Sequence, residues 1–166
     1  MCIETGGLLT SARFDYPWGI AARGIVLYVG QDNAGGIRKI SGGSVSTIVT
    51  GGGTVDVITD TNFLYWVDYG RSCIWKSALS SISPVTIAGT CSSSGYIDGP
   101  GNTAKFKLPF GAFEVGTGNL LIGDAYNYVI RKITGTSATA SANTVTTYSG
   151  VGGTPGLVNA PLATAP

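Results

Sequence analysis

The apolar positions of this chain fall in short runs of alternating hydrophobic and polar residues. LYVG at 27–30, LYWVD at 64–68 and LLIGD at 120–124 are examples, each bounded by Gly, Asn, Asp or Pro. Val, Ile, Thr and Tyr at period two, punctuated by turn residues, predict short β-strands.

The pattern repeats. Residues 10–51, beginning TSARFDYPWGIAARGIVLYVGQDNAGGIRKI, match residues 102–150, NTAKFKLPFGAFEVGTGNLLIGDAYNYVIRKI followed by TVTTYSG. The shared skeleton is Ala12, Phe14, Pro17, Gly19, Gly30, Ile37, Arg38, Lys39 and Ile40 against Ala104, Phe106, Pro109, Gly111, Gly123, Ile130, Arg131, Lys132 and Ile133, an offset of 92 residues rising to 93. A third copy lies between them, because residues 55–77 align without gaps to 111–133. Each copy predicts four strands, the last at VSTIV, PVTIAG or TVTTYSG. Four-stranded antiparallel units recurring at a period in the forties are blades of a β-propeller. The expected fold is therefore all-β: one segment over residues 1–166 holding three blades at about 10–51, 52–90 and 95–150, with a tail at 151–166 that starts a further repeat. Ala12 with Phe14, and Ala104 with Phe106, are expected to fill the wedges between blades.

Composition fits short strands and tight turns: 43% of residues are hydrophobic, 11% charged, and 26 of 166 are Gly. A net charge of +1 creates no long-range field to draw in nucleic acid or an anionic membrane. No apolar stretch approaches the roughly 20 residues of a membrane span. The chain has no histidine, which removes the commonest general base and metal ligand and with it any Ser-His, Cys-His or His-zinc site made from these residues alone.

With these repeats in view, DGPGNTAKFKLPFG…GNLLIGDAYNYVIRKI at 98–133 resembles an NHL repeat, and FLYWVDYGRSCIWKS at 63–77 is similar to the YWTD repeat of low-density-lipoprotein-receptor propellers. The copies depart from those patterns at Gln31, Ala34 and Val67, and the middle copy lacks the A-x-F and P-x-G lead-in. Both families imply six-bladed rings. Three blades cannot close a ring, since propellers have about four to eight. Two completions stand side by side: pairing with a second copy, or further blades in a longer chain. The tail GLVNAPLATAP at 156–166 is in phase with the segment leading into the first blade.

The resemblance implies a ligand-binding ring face built by the loops leading into each first strand and those between second and third strands. On this chain that face carries Tyr16, Trp18, Asp32, Asp68, Tyr69, Arg71, Phe110, Asp124, Tyr126 and Tyr128. Aromatics with a few charges suit a protein or peptide hot spot. The alternative for Trp18 and Phe110 is to cap the channel, and for Asp68 and Asp124 to bond backbone turns. The reading for the whole is a non-catalytic interaction module. Its alternatives are a lactonase- or lyase-type propeller enzyme completed by missing blades, and a structural or adhesive array assembled through blade faces.

No cofactor is expected. Lactonase-like propellers would suggest channel calcium, for which Asp56, Asp60, Asn62, Glu114 and Asn119 are available, but these do not recur as a ring. The Arg38–Lys39 and Arg131–Lys132 pairs cannot form one basic patch, because adjacent strand residues point to opposite sides. DGPGN at 98–102 and GVGG at 150–153 lack the context of phosphate-binding loops and are expected to be turns.

Of three cysteines, Cys73 opens a third strand and Cys91 follows a fourth. A hairpin turning near Ser81–Ser83 sets them opposite one another, within disulfide reach; two reduced thiols are the alternative. A bridge would favour an oxidising, secreted or lumenal compartment. Cys2 is left over.

Overall fold

The computed structural model of the protein describes residues 7–33, 36–114 and 118–156. They form three antiparallel sheets. The first runs β1 (Gly7–Leu8), β2 (Pro17–Arg23), β3 (Val26–Gln31), β4 (Gly36–Ser41) and β5 (Ser44–Val49) in spatial order β1-β5-β4-β3-β2. The second is β6 (Thr54–Thr59), β7 (Phe63–Asp68), β8 (Cys73–Ala78) and β9 (Val85–Ala88) in sequence order. The third holds β10 (Gly99–Pro100), β11 (Pro109–Glu114), β12 (Leu120–Asp124), β13 (Val129–Thr134) and β14 (Thr144–Ser149), ordered β10-β14-β13-β12-β11. The first strands of the three sheets pack side by side, β2 on β6 and β6 on β11. This is the arrangement of propeller blades, and the chain is a run of three.

Two sheets carry a fifth strand that the repeat pattern does not announce. Gly7–Leu8 pairs with Val45 and Ser44, and Gly99–Pro100 with Val145 and Thr144. Part of DGPGN, expected to be only a turn, thus covers the outer edge of its own blade before the chain turns inward. Such short strands protect an edge that would otherwise offer unpaired backbone groups.

The three blades share their irregularities. Register slips between Pro17 and Ile20, Thr54 and Asp56, and Phe110 and Ala112 bulge each first strand at the same place. A second bulge lies opposite Ile37/Arg38, Ile74/Trp75 and Ile130/Arg131 of the third strands, where each fourth strand carries one extra residue, Ile48, Ile87 or Tyr148. Bulges increase local twist.

Two apolar layers lie between the blades. Tyr28 and Ile37 of the first meet Val57, Leu64 and Trp66 of the second, where Trp66 stacks on Trp75 with centroids 6.2 Å apart and planes at 6°. Between the second and third, Tyr65, Val67, Ile74 and Ile87 pack against Ala104, Phe106, Leu120, Ile122 and Ile133. Ala104 and Phe106 are fully buried in that wedge. Ala12 and Phe14, at the equivalent place on the first blade, are only half-buried, because among the described residues no blade precedes them.

The arginines of the two IRKI motifs are interior groups. Arg131 and Arg38 are both fully buried, stacked over Phe106 at 5.1 Å and Phe14 at 5.2 Å. Arg131 donates to Lys105 O at 3.0 Å and Arg38 to Arg13 O at 2.8 Å, so each ties the lead-in segment to its own sheet. Lys39 and Lys132 face the other way, half-exposed. The start of a further repeat lies largely outside the described residues, as do Cys2 and Ala34.

Candidate functional site

The loops at one end of the channel bring three of the anticipated aromatics together, one from each blade. Trp18 meets Phe110 edge-on, with centroids 6.0 Å apart and planes at 63°. Tyr69 lies 5.0 Å from the same Phe110 ring. Phe110 and Tyr69 are half-buried by these contacts, whereas Trp18 remains 57% exposed. Edge-to-face rings at this spacing favour one another by about 0.5–1.5 kcal/mol, which biases Trp18 toward one placement before any partner packs on it.

Their positions follow from the backbone. Trp18 and Phe110 each sit one residue after the P-x-G proline, just before the bulge that turns the first strand. Tyr69 is held where its N–H donates to Gly53 O at 3.0 Å. A Cβ at Gly53 would meet Asp32 Oδ1 at 3.0 Å and the Tyr69 ring at 3.2 Å. A carboxylate and an aromatic edge therefore converge over a position that only glycine leaves open. Sequence reasoning passed over Gly53, whose only signal is its place in the Gly51–Gly53 run.

The charged candidates divide. Asp32 is half-buried and accepts the Asn33 N–H at 2.7 Å. Asp68 is 2% exposed: Oδ1 accepts N–H bonds from Arg71 at 3.0 Å and Gly53 at 3.4 Å, and Oδ2 faces the Arg71 guanidinium at 3.5 Å. Burial pushes the Asp68 carboxyl above the ordinary carboxylate range, with Asp32's charge adding to it, while the Arg71 and Gly53 contacts pull the other way. Asp124 is not on the contact face at all. It is fully buried and accepts from Lys107 N at 2.8 Å, Asn127 Nδ2 at 2.8 Å and Arg131 at 2.9 Å. Asp68 and Asp124 thus bond turns, and Arg71 is left as the exposed charge beside the aromatics.

Tyr16, Tyr126 and Tyr128 are 65%, 54% and 48% exposed. Tyr16 takes a left-handed backbone at φ 45°, and its carbonyl accepts the Asp32 N–H at 3.1 Å. Tyr128 closes the short 3-10 turn after β12 and borders a shallow groove beside Gly123, Val129 and Ile130, on the third blade's open side.

Of the residues considered for calcium, Asp56, Asp60 and Asn119 are engaged within the chain. Asp56 accepts the N–H of Val57 at 2.9 Å and of Ala112 at 2.8 Å, tying β6 to β11. Asp60 accepts from Asn62 N and Phe63 N, each at 2.7 Å, and from the Tyr65 hydroxyl at 2.8 Å. Asn119 accepts the Gly135 N–H. Among the described residues no three His, Cys, Asp or Glu side chains converge, and no helix is long and apolar enough to cross a membrane.

Cys73 and Cys91 are joined by a disulfide with Cα atoms 5.2 Å apart. They are not ladder partners, because the ladder pairs Ile74 with Ala88 and so puts Gly89, not Cys91, opposite Cys73. Cys91 returns to Cys73 from beyond the end of β9. Gly89, at φ 95°, crosses so close to Cys73 that a Cβ there would lie 2.9 Å from the Cys73 Cα.

Comparison with solved structures agrees with this geometry. The chain superposes on an auxiliary nutrient binding protein from Bacteroides ovatus with a TM-score of 0.65, at 18% identity over 81% of this chain and 36% of that one. A virginiamycin B lyase from Staphylococcus aureus gives 0.57 at 15% identity, covering 87% and 44%. A chain of a nidogen/laminin complex gives 0.54 at 19% identity, covering 70% and 43%. The fold is a partial β-propeller. The chain spans less than half the length of each of these structures. No described protein family and no curated relative matches its sequence.

Proposed function

We propose that the chain is a non-catalytic propeller module that presents the Trp18–Tyr69–Phe110 cluster, with Asp32 and Arg71 beside it, to a protein or peptide partner. The observation that carries this reading is the convergence of three aromatics from three blades at one channel mouth, with Trp18 held by ring contacts yet 57% exposed. Partly exposed aromatics beside an arginine are the composition of binding hot spots. Solved propellers of similar fold include a nutrient-binding protein and a nidogen/laminin complex, which agrees in direction while sharing the fold alone. The Cys73–Cys91 disulfide supports an oxidising compartment as the place of action.

Site-specific photo-crosslinking tests the reading. Benzoylphenylalanine at Tyr16, beside the cluster, is expected to capture a discrete partner from an extract of the source cells. The same probe at Ile25, 91% exposed on the turn at the far end of β2, is expected to capture none. Trp18→Ala should abolish the Tyr16 adduct. Equal labelling from both ends, or capture indifferent to Trp18→Ala, would count against the proposal.

A further inference from the structure

The two outer faces of the blade run are the two halves of a junction that the chain already makes once inside itself. Where the middle blade meets the third, Tyr65, Ile74 and Ile87 are each 2% exposed or less. Strand register assigns their equivalents on the third blade's open face: Leu121 pairs as Tyr65 does, Ile130 as Ile74, and Tyr148 sits in the same bulge as Ile87. There Ile130 is 40% and Tyr148 51% exposed, and Phe113, across from Leu121, is 66% exposed. The same positions that are sealed on one blade are open on the next.

The opposite half of the junction is equally intact on the first blade. Inside the chain it consists of Phe106 with Arg131 stacked on it and Ala112 and Ile122 alongside. The first blade holds Phe14 under Arg38, with Ile20 and Val29 in the matching register. Ile20 is 62% exposed and Phe14 half-exposed, lacking the cover that Ile87 and Ala88 give to Phe106.

We infer that the open face of the third blade docks onto the open face of the first blade of a second copy of this chain, so that two copies close a ring of six blades. Both complementary halves lie on one chain, so the contact needs no other component, and it continues a junction whose packing is established between the second and third blades. A head-to-tail contact closes when its rotation does; a half-turn about the channel axis uses it twice, and six blades fall within the four to eight of known rings. The faces are apolar on a chain of net charge +1, so little repulsion opposes the pairing. Closure would withdraw Phe113, Ile130, Tyr148 and Ile20 from water and double the number of aromatic clusters at the channel mouth. This inference concerns the blade faces and stands apart from the partner surface proposed above.

Sedimentation velocity and light scattering on the full chain test it. The wild type is expected at twice the mass of one chain over a wide concentration range. Phe113→Asp and Ile20→Lys each alter a side chain exposed in the single chain, so both variants should keep the wild-type circular dichroism while running as monomers. Mixing the two monomeric variants should restore a dimer, because one junction is then wild-type and the other pairs aspartate with lysine. A folded wild-type monomer overturns the inference and assigns the missing blades to a longer polypeptide or to another protein. Open polymers, aggregate alone, or single variants that remain dimeric overturn it too. Trp18→Ala should leave the dimer intact, so the two proposals fail separately.

Discussion

Asp124 and Arg131 lie 2.9 Å apart in the third blade, and neither side chain reaches solvent. The guanidinium also donates to Asp98, Ile97 O and Lys105 O, so the pair gathers the lead-in segment, the second strand and the third into one polar knot. In the first blade the same knot is built with a neutral partner, Gln31, whose Oε1 lies 3.3 Å from Arg38. Asp124→Ala leaves the buried guanidinium with Asp98 as its remaining counter-charge and takes the acceptor from Lys107 N and Asn127 Nδ2 as well, a loss approaching the about 3–5 kcal/mol of a broken buried pair. Losing a neutral acceptor to a charged donor costs about 1.5–3 kcal/mol. Asp124→Ala is therefore expected to lower the urea midpoint more than Gln31→Ala, and equal shifts would refute the distinction.

Gln31 shows where the sequence was legible and where it stopped. Its departure from the Asp of the other copies was visible by alignment, and so were the three repeats, the four main strands of each blade and the Ala104–Phe106 wedge. The consequence of the departure was not visible, because burial of Arg38 depends on a fold-wide contact. The two-residue strands at Gly7 and Gly99 were hidden by Gly and Pro, which read locally as turns while tertiary pairing decides otherwise. Of the ten residues mapped to the ring face, Trp18, Tyr69 and Phe110 do converge. Asp124 was mapped to that face through the loop it precedes, but its own blade buries it: Arg131, Asn127 and the Lys107 N–H converge on its carboxylate, contacts a motif position does not announce.

The Cys73–Cys91 bridge spans 18 residues and anchors the exit of the middle blade to its third strand. Closing a loop of that size constrains the unfolded chain by about 3 kcal/mol. Cys73→Ala/Cys91→Ala should lower the thermal midpoint, and a reducing agent should lower the wild type to nearly the same value. Peptide mapping without reductant should yield the 73–91 cross-link. Free thiols at both positions in protein from an oxidising medium would contradict the structure.

Alkaline stability should depend on Tyr65. Burial, then the hydrogen bond to the Asp60 carboxylate and the charge behind it, raise the Tyr65 phenol from its ordinary value to about 12. Between about 10 and that value the folded chain keeps a proton the unfolded chain has lost, so the stability present below pH 10 falls away as pH rises through it. Lys76 acts with the opposite sign. Its ammonium, donating to Thr136 O at 2.7 Å and lying 3.6 Å from the Phe63 ring centroid, has its pKa lowered by burial. The unfolded chain then holds the extra proton just below the ordinary lysine range, and stability rises with pH there. Chemical denaturation across the alkaline range should show a decline above pH 10 that Tyr65→Phe flattens. An unchanged slope in that variant would place the titration elsewhere.

Phe14 and Phe106 occupy one motif position in two blades and make the sharpest internal comparison. Phe106 is fully buried among Ile87, Leu120 and Ile133, and its truncation leaves a cavity with no room to collapse, so Phe106→Ala should cost about 3–5 kcal/mol. Phe14 carries the same arginine on its face, at 5.2 Å against 5.1 Å, but is only half-buried in one chain. Phe14→Ala removes less apolar contact from a single chain and should shift its denaturation midpoint by a smaller amount at high dilution. Equal penalties under those conditions would mean that the first blade's outer face is covered within one chain, contrary to the exposure of Ile20 beside it.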